Sequence, residues 1–331
     1  MFSKEIEQVI NRYLKYESTK LSIGVVLYNE THIFSYSNKS LDKQVKDDFF
    51  DIGSLSKVFT SLYVLKLAEE GLINLDDNIS KCISLKEGHY WTIKDLLKHR
   101  CAFNMHTPIE FAIKSGFRSA YSRKNIYQNI KDEDVIKAAN KRGKHINKRT
   151  YGYSDYPTAL LALLIQSVKN NHCVDELNTF IKDDFNLSNT LCVENNFPKR
   201  ESYVGNRKIE PWKWDKDNPY ILSGGLTSNI KDMTSFLKQL LTQKEKKFVS
   251  ESFKSDEDDI KHNLVWFVNK KKTSFWHVGD AGTFRSSIIL NPSKGIGVVI
   301  LGNQKGRKNG NTFHLARIIY DSLKRNKITN F

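Results

Sequence analysis

The polar and apolar positions of the chain fall into three zones. After an amphipathic opening segment, Met-Phe-Ser-Lys-Glu-Ile-Glu-Gln-Val-Ile-Asn-Arg-Tyr-Leu, two β-rich runs at 21–28 and 32–37 flank Asn29-Glu30-Thr31, the pattern of a hairpin. A helical pattern follows from Leu55 to about Glu70, with Val58, Leu62, Leu65 and Leu67-Ala68 on its apolar face and Gly71 as its stop. Thr92 is placed to cap a short helix over 93–98. Onward to about Lys182 the pattern is helical and loop-rich, including the long apolar run 158–168. A Ser-Gly-Gly-Leu turn at 223–226 precedes a helix over 231–241. The last hundred residues return to strand patterns, at 264–268, 274–278, 286–290 and 297–301, before a closing helix over 313–323. Strands at both ends with helices between them predict an α/β (α+β) fold. Residues 1–75 and 216–331 would form one antiparallel sheet lobe flanked by helices. Residues 76–215 would form an inserted, mainly helical lobe.

Composition narrows the class. With 331 residues, 39% hydrophobic and 27% charged, the chain can bury a large core and does not read as disordered. The amphipathic start has no continuous apolar stretch of a signal peptide, and no segment approaches the roughly 18 apolar residues of a spanning helix. With Met1 as the native start, the expected location is the cytoplasm. Cys82, Cys101, Cys173 and Cys192 lie far apart without a CxxC pair, which favours reduced thiols over a disulfide framework or a zinc site. The net charge of +15 is concentrated between Lys114 and Arg149, where eleven Lys/Arg face Asp132, Glu133 and Asp134. A solvated basic face accounts for this, and an anionic partner at 114–149 is the alternative. Nucleic acid is not expected, because no binding motif or aromatic interleaving accompanies the charge.

Candidate chemistry centres on Ser54-Leu55-Ser56-Lys57, where a hydroxyl and an amine three residues apart on a helix start can face the same way. A serine hydroxyl is a poor nucleophile until a base takes its proton. The same spacing recurs at Ser40/Lys43, Ser228/Lys231 and Ser235/Lys238, so the tetrad alone does not select Ser54. Two further strings do: Tyr153-Ser154-Asp155 just before an apolar helix, and His277-Val278-Gly279 on a predicted strand. Tyr151 and Tyr156 compete with Tyr153 on residue type alone, and Ser56 has no lysine three residues on.

In this order and separation, the three strings resemble the serine β-lactamase and penicillin-binding-protein superfamily, most closely the class C β-lactamases and their esterase and D-amino-acid peptidase relatives. Leu67–Asp77, Trp91–His99 and Ser223–Ser228 with Asp232 extend the likeness from about residue 20 to 305. The resemblance implies the β-lactamase/transpeptidase fold, with the active site between the two lobes. It also implies that Ser54 is an acylated nucleophile, Lys57 its proton acceptor or relay, and Tyr153 a proton shuttle to the leaving group and water. Asp155, His277, Gly279 and Asp280 would line the substrate, the oxyanion lying between the N–H groups of Ser54 and Asp280. Such donors are worth about 10²–10³ in rate each. No metal or cofactor is implied.

The departures from that pattern bear on substrate. Asp155 stands where many members carry Asn, which disfavours anionic acyl groups or requires a donor on the substrate; His277 stands where β-lactamases carry Lys, which weakens the expectation of binding a penicillin carboxylate. His99-Arg100-Cys101-Ala102-Phe103 replaces a turn of small residues. His99 and Cys101 read as structural, while Trp212 and Trp214 fit a pocket wall or the core. The expected function is a serine hydrolase acting on a small-molecule ester, amide or D-amino-acid peptide. The alternatives are a penicillin-binding protein or β-lactamase acting on β-lactams or cell-wall peptides, and a non-catalytic binding protein on the same fold.

Overall fold

The structure, a computed structural model, describes residues 2–88, 90–101, 125–142, 150–192, 199–257, 261–304 and 311–325. Much of the basic 114–149 segment, and Ala102-Phe103, lie outside the described residues.

Helix α1 (Lys4–Tyr13) leads into β1 (Leu21–Leu27), β2 (Glu30–Ser37), β3 (Ser40–Leu41) and β4 (Phe49–Asp51). The first hairpin is tighter than its sequence suggested. Leu27 pairs with Glu30, leaving Tyr28-Asn29 as a two-residue turn with φ 47° and 78°. Positive φ at both positions is the twist-matched hairpin geometry, which Asn tolerates. Helix α2 (Ser56–Glu69) follows, with Gly71 beyond it at φ 73°. The middle of the chain supplies α3 (Ile93–Leu97), α4 (Asp132–Arg142), α5 (Tyr156–Lys169), α6 (Cys173–Phe185) and the short strands β5 (Leu191–Cys192), β6 (Ser202–Val204) and β7 (Arg207–Ile209). After α7 (Ile221–Gly224) come β8 (Leu226–Asn229), α8 (Ile230–Thr242) and α9 (Lys247–Ser252). The chain closes with β9 (Phe267–Val268), β10 (Phe275–Ala281), β11 (Phe284–Asn291), β12 (Ile296–Gly302) and α10 (Thr312–Lys324).

The described strands of the main sheet run in the order β3-β2-β1-β12-β11-β10-β9, every pairing antiparallel. The N- and C-terminal strands meet where Leu21 lies opposite Gly302 and Leu27 opposite Ile296. Both faces are covered. Ile23, Val25, Val298 and Ile300 pack with Ile6, Ile10, Leu315 and Ile319 of the terminal helices. Val26, Val299 and Leu301 join the larger cluster containing α2, α5 and α8. A strand buried on both faces loses the alternation of polar and apolar residues, hence the continuous runs at β1 and β12.

Two elements depart from their sequence patterns. Helix α2 carries buried residues around nearly its whole circumference, from Ser56 to Leu65, because it passes through the core. The last strand before β10 is only Phe267–Val268, since the Asn263 side chain takes the N–H groups of Val265 (2.9 Å) and Trp266 (2.7 Å) and turns that segment.

Candidate active site

Ser54 lies in a 3₁₀ turn, Gly53–Leu55, immediately before α2. The turn is wedged against β10. Gly53 has φ 53°, and a Cβ there would approach the Asp280 N to 2.5 Å. A Cβ at Gly279 would collide with the Ile52 carbonyl and the Ser286 hydroxyl, which itself donates to that carbonyl at 2.6 Å. Only glycine permits so close a passage of strand and turn. The β10–β11 hairpin closes at Ala281↔Phe284, so Asp280↔Arg285 is a non-hydrogen-bonded pair. The Asp280 N–H therefore faces away from β11, on the edge of β10 beside Gly53. The Asp280 side chain is exposed and paired with Arg285. The N–H of Ser54, in the first turn of the helical segment, has no carbonyl four residues back to bind.

Lys57 is 3% exposed. Its amine donates to the Ser54 hydroxyl at 3.0 Å and to the Ser223 carbonyl at 2.8 Å, and forms an ion pair with Asp155 Oδ1. The Tyr153 hydroxyl is hydrogen-bonded to both Ser54 and Lys57. Burial alone would lower the Lys57 pKa, but the Asp155 carboxylate and the Tyr153 phenol turn the net shift upward, so the amine is held charged. Burial raises the Tyr153 pKa, and Asp155 reinforces this against the opposing pull of Lys57. The resting site thus holds an ammonium and a neutral phenol.

Asp155, expected to meet a substrate, has both oxygens engaged within the protein: Oδ1 by Lys57 and Oδ2 by the Tyr127 hydroxyl. A carboxylate 5% exposed requires such partners. Tyr127 stacks on Tyr220 (4.6 Å) and Trp214 (5.9 Å), and its carbonyl accepts from Asn218 at 2.6 Å. Trp212 stands edge-on to Trp214 at 6.2 Å, so the two half-buried tryptophans continue this aromatic wall. The Cβ position of Gly224 lies 3.6 Å from Trp214 and 3.9 Å from the Gly53 carbonyl carbon, which places the wall beside the Ser54 turn.

On the opposite side, His277 is fully buried on β10, its Nδ1 against the Val278 carbonyl at 2.9 Å. Its ring neighbours Tyr153 (6.0 Å), Phe267 (5.3 Å) and His262 (6.4 Å). Burial, then the nearby His262 and Lys57, lower its pKa well below the usual histidine value, so it is a neutral imidazole. His99 (φ 51°) accepts the Gly152 N–H on its carbonyl (2.9 Å) and the Ser154 N–H on Nδ1 (3.5 Å). It thereby holds the segment that presents Tyr153. Among the described residues, no group of three or more His, Cys, Asp or Glu is placed to hold a metal ion.

The competing serines sit elsewhere. Ser40 is exposed on β3, Ser228 shares a hydrogen bond with Thr190, Lys231 pairs with Asp47, and Ser235 is exposed on α8. Ser56 is buried, donating to the Gly53 carbonyl (2.7 Å) and accepting from the Leu226 N–H (3.1 Å). A cavity of about 620 Å³ between the ends of α4, α5 and α6 contains none of the predicted site residues. The sequence reading missed Tyr127 and the Ser223 carbonyl; neither has a local pattern to mark it.

An antiparallel sheet between helical layers, with both chain ends contributing strands, is the β-lactamase/transpeptidase fold, a fold of serine hydrolases. The Beta-lactamase family model matches residues 6–319, and the chain belongs to that family. It is 27% identical over 298 residues to Protein flp of Staphylococcus aureus (strain COL), covering 81% of this chain and 56% of that protein. The chain therefore spans about half the length of this curated relative. Among solved structures, the octameric penicillin-binding protein homologue from Pyrococcus abyssi superposes with a TM-score of 0.78 at 18% identity, over 98% of this chain and 78% of that one. The class C beta lactamase from Rhodobacter sphaeroides gives 0.73 at 17%, over 98% and 99%. The D-stereospecific amidohydrolase from Streptomyces sp. gives 0.66 at 17%, over 90% and 93%. These similarities fix the fold. Among the described residues no helix is long and apolar enough to cross a membrane.

Proposed function

We propose that the protein hydrolyses an ester, amide or D-amino-acid peptide through an acyl-enzyme on Ser54. The observation that carries this reading is the Ser54 hydroxyl, 3.0 Å from the buried Lys57 amine and hydrogen-bonded to Tyr153, at a turn pressed against the free edge of β10. In the reaction, Ser54 Oγ attacks the substrate carbonyl carbon while its proton passes to the deprotonated Tyr153–Lys57 pair. The carbonyl oxygen becomes an oxyanion between the N–H groups of Ser54 and Asp280. Collapse breaks the bond to the leaving alcohol or amine, which takes the proton. Water then repeats the sequence on the acyl-enzyme, releasing the acid and restoring Ser54.

Neutral His277 and the internally paired Asp155 favour substrates without a carboxylate beside the scissile bond, over β-lactams. Intact-protein mass spectrometry after treatment with a fluorophosphonate tests the nucleophile: one adduct on Ser54, absent from Ser54→Ala, is expected. An equal adduct in Ser54→Ala, or none in the wild type, refutes it. A panel of p-nitrophenyl esters, D- and L-aminoacyl anilides and a chromogenic cephalosporin then separates the substrate classes.

A further inference from the structure

Lys57 has two neighbours that can only accept a hydrogen bond, the carboxylate Oδ1 of Asp155 and the carbonyl of Ser223. Its other two neighbours, the hydroxyls of Ser54 and Tyr153, can donate or accept. An amine has three positions beyond its carbon. Two are committed as N–H donors to the acceptor-only atoms, in the charged and the neutral state alike. The third is aimed at Ser54 and Tyr153. It carries a proton in the ammonium and a lone pair in the free amine, and only the lone pair can receive the serine proton. The carboxylate that fixes this orientation also sits at contact distance from the positive charge and stabilises its protonated form. Asp155 is in turn fixed by Tyr127, whose ring is clamped between aromatic neighbours and whose backbone is tied to Asn218.

We propose that Asp155, buttressed by Tyr127, is the positioning residue for Lys57, aiming its third valence at Ser54 and Tyr153 and holding a proton there, so that the charge at position 155 sets the pH at which the nucleophile becomes active. This rests on Ser54 being the nucleophile. The titratable groups acting on Lys57 are Asp155 and Tyr153 from the segment before α5, with His99 after α3 and His277 on β10 in its field; Tyr127, before α4, reaches it through Asp155, and His262, before β9, stands behind His99 and His277. Burial leads both His99 and His277 to titrate well below the usual histidine range, and burial with Asp155 holds the Tyr127 phenol neutral. Asp155 is therefore the one anionic partner of Lys57 among the described residues. The active form is the Lys57–Tyr153 pair minus one proton, and the pH at which that proton leaves belongs to the pair.

The test is the second-order rate of fluorophosphonate labelling of Ser54 between pH 6 and 10, read by mass spectrometry, for wild type, Asp155→Asn and Tyr127→Phe, with circular dichroism on each. In the wild type, the rate rises along an alkaline limb. Asp155→Asn keeps shape and hydrogen bonding but removes the charge, so the limb moves down by about 1–3 pH units. Below the limb, labelling relative to its own plateau then rises about tenfold per unit. Tyr127→Phe keeps the carboxylate but removes the donor that shares its charge, so the limb moves up. A limb that stays within about 0.3 unit in Asp155→Asn, whatever the rate, overturns the proposal. If that variant does not fold, an unmoved or lowered limb in Tyr127→Phe overturns it instead. Absence of label in the wild type refutes Ser54 as nucleophile and takes this inference with it; label without the shift refutes only the inference.

Discussion

Gly53→Ala would perturb the proposed oxyanion arrangement without touching a side chain assigned to the reaction. A Cβ at residue 53 would lie 2.5 Å from the Asp280 nitrogen and 2.7 Å from its carbonyl carbon and oxygen, where ordinary contact begins at 3.4 Å. Strand β10 must therefore retreat by about 0.9 Å, and a misplacement near 1 Å in a catalytic array costs about 10²-fold. Donors act at about 2.7–3.1 Å from the oxyanion, so this retreat removes most of the Asp280 N–H contribution, worth about 10²–10³. The left-handed backbone at φ 53° adds about 1–2 kcal/mol of destabilisation. The expected result is roughly a 100-fold slower fluorophosphonate labelling of Ser54, with a modest loss of unfolding free energy in denaturant. Gly295→Ala is the control. It has φ 62° but nothing within 4 Å of the added methyl, so it incurs the backbone cost and leaves labelling unchanged. Labelling of Gly53→Ala within about threefold of wild type, or equal slowing in the control, refutes the assignment of Asp280 N–H as an oxyanion donor.

Two further outcomes concern the frame around the site. Ser56→Ala removes the link between the Gly53 carbonyl and the Leu226 N–H at a fully buried position, so denaturant unfolding should show a loss of about 1–3 kcal/mol while the adduct stays on Ser54; an unchanged midpoint contradicts this. Arg200→Met strips the partner from buried Asp51, which also accepts from Thr227 at 2.8 Å, and should cost about 3–5 kcal/mol near neutral pH. Burial already raises the Asp51 pKa, and Arg200 opposes that rise. Without Arg200 the folded value climbs further above the unfolded one. The stability this group contributes is then full below the unfolded value and lost as pH rises through the folded one. The deficit relative to wild type should accordingly shrink as pH falls toward 4, read from urea midpoints across pH; a deficit independent of pH sinks the explanation.

The two-ended antiparallel sheet was legible because hydrophobic runs at both termini bound helices of recognisable period, and the structure pairs β1 with β12 as that pattern expects. Where the reading slipped, one local polar group decided the backbone. Asn263 turned the start of a strand-like run, and Asn29 tightened a hairpin. The Ser54–Lys57 contact follows from spacing on one helical turn. Tyr127–Asp155 and Lys57–Ser223 join residues 28 and 166 apart, and no window of sequence displays such a meeting. A carboxylate in a motif announces its charge but not its partner, and for Asp155 the partner on Oδ1 is Lys57.

That partner also bears on substrate. Under the proposed mechanism, a substrate carboxylate would be drawn to a cation near Ser54. Here the buried cation, Lys57, is already compensated by Asp155, and the adjacent His277 is neutral. Bringing in a second anion would set it against Asp155, itself buried, a like-charge arrangement that costs energy rather than supplying it. A neutral or cationic acyl group would meet no such penalty, and the Trp212–Trp214 wall would offer it apolar and π-face contact beside the Ser54 turn. On this proposal, the Asp155 charge would govern both when Ser54 can be activated and which acyl groups reach it.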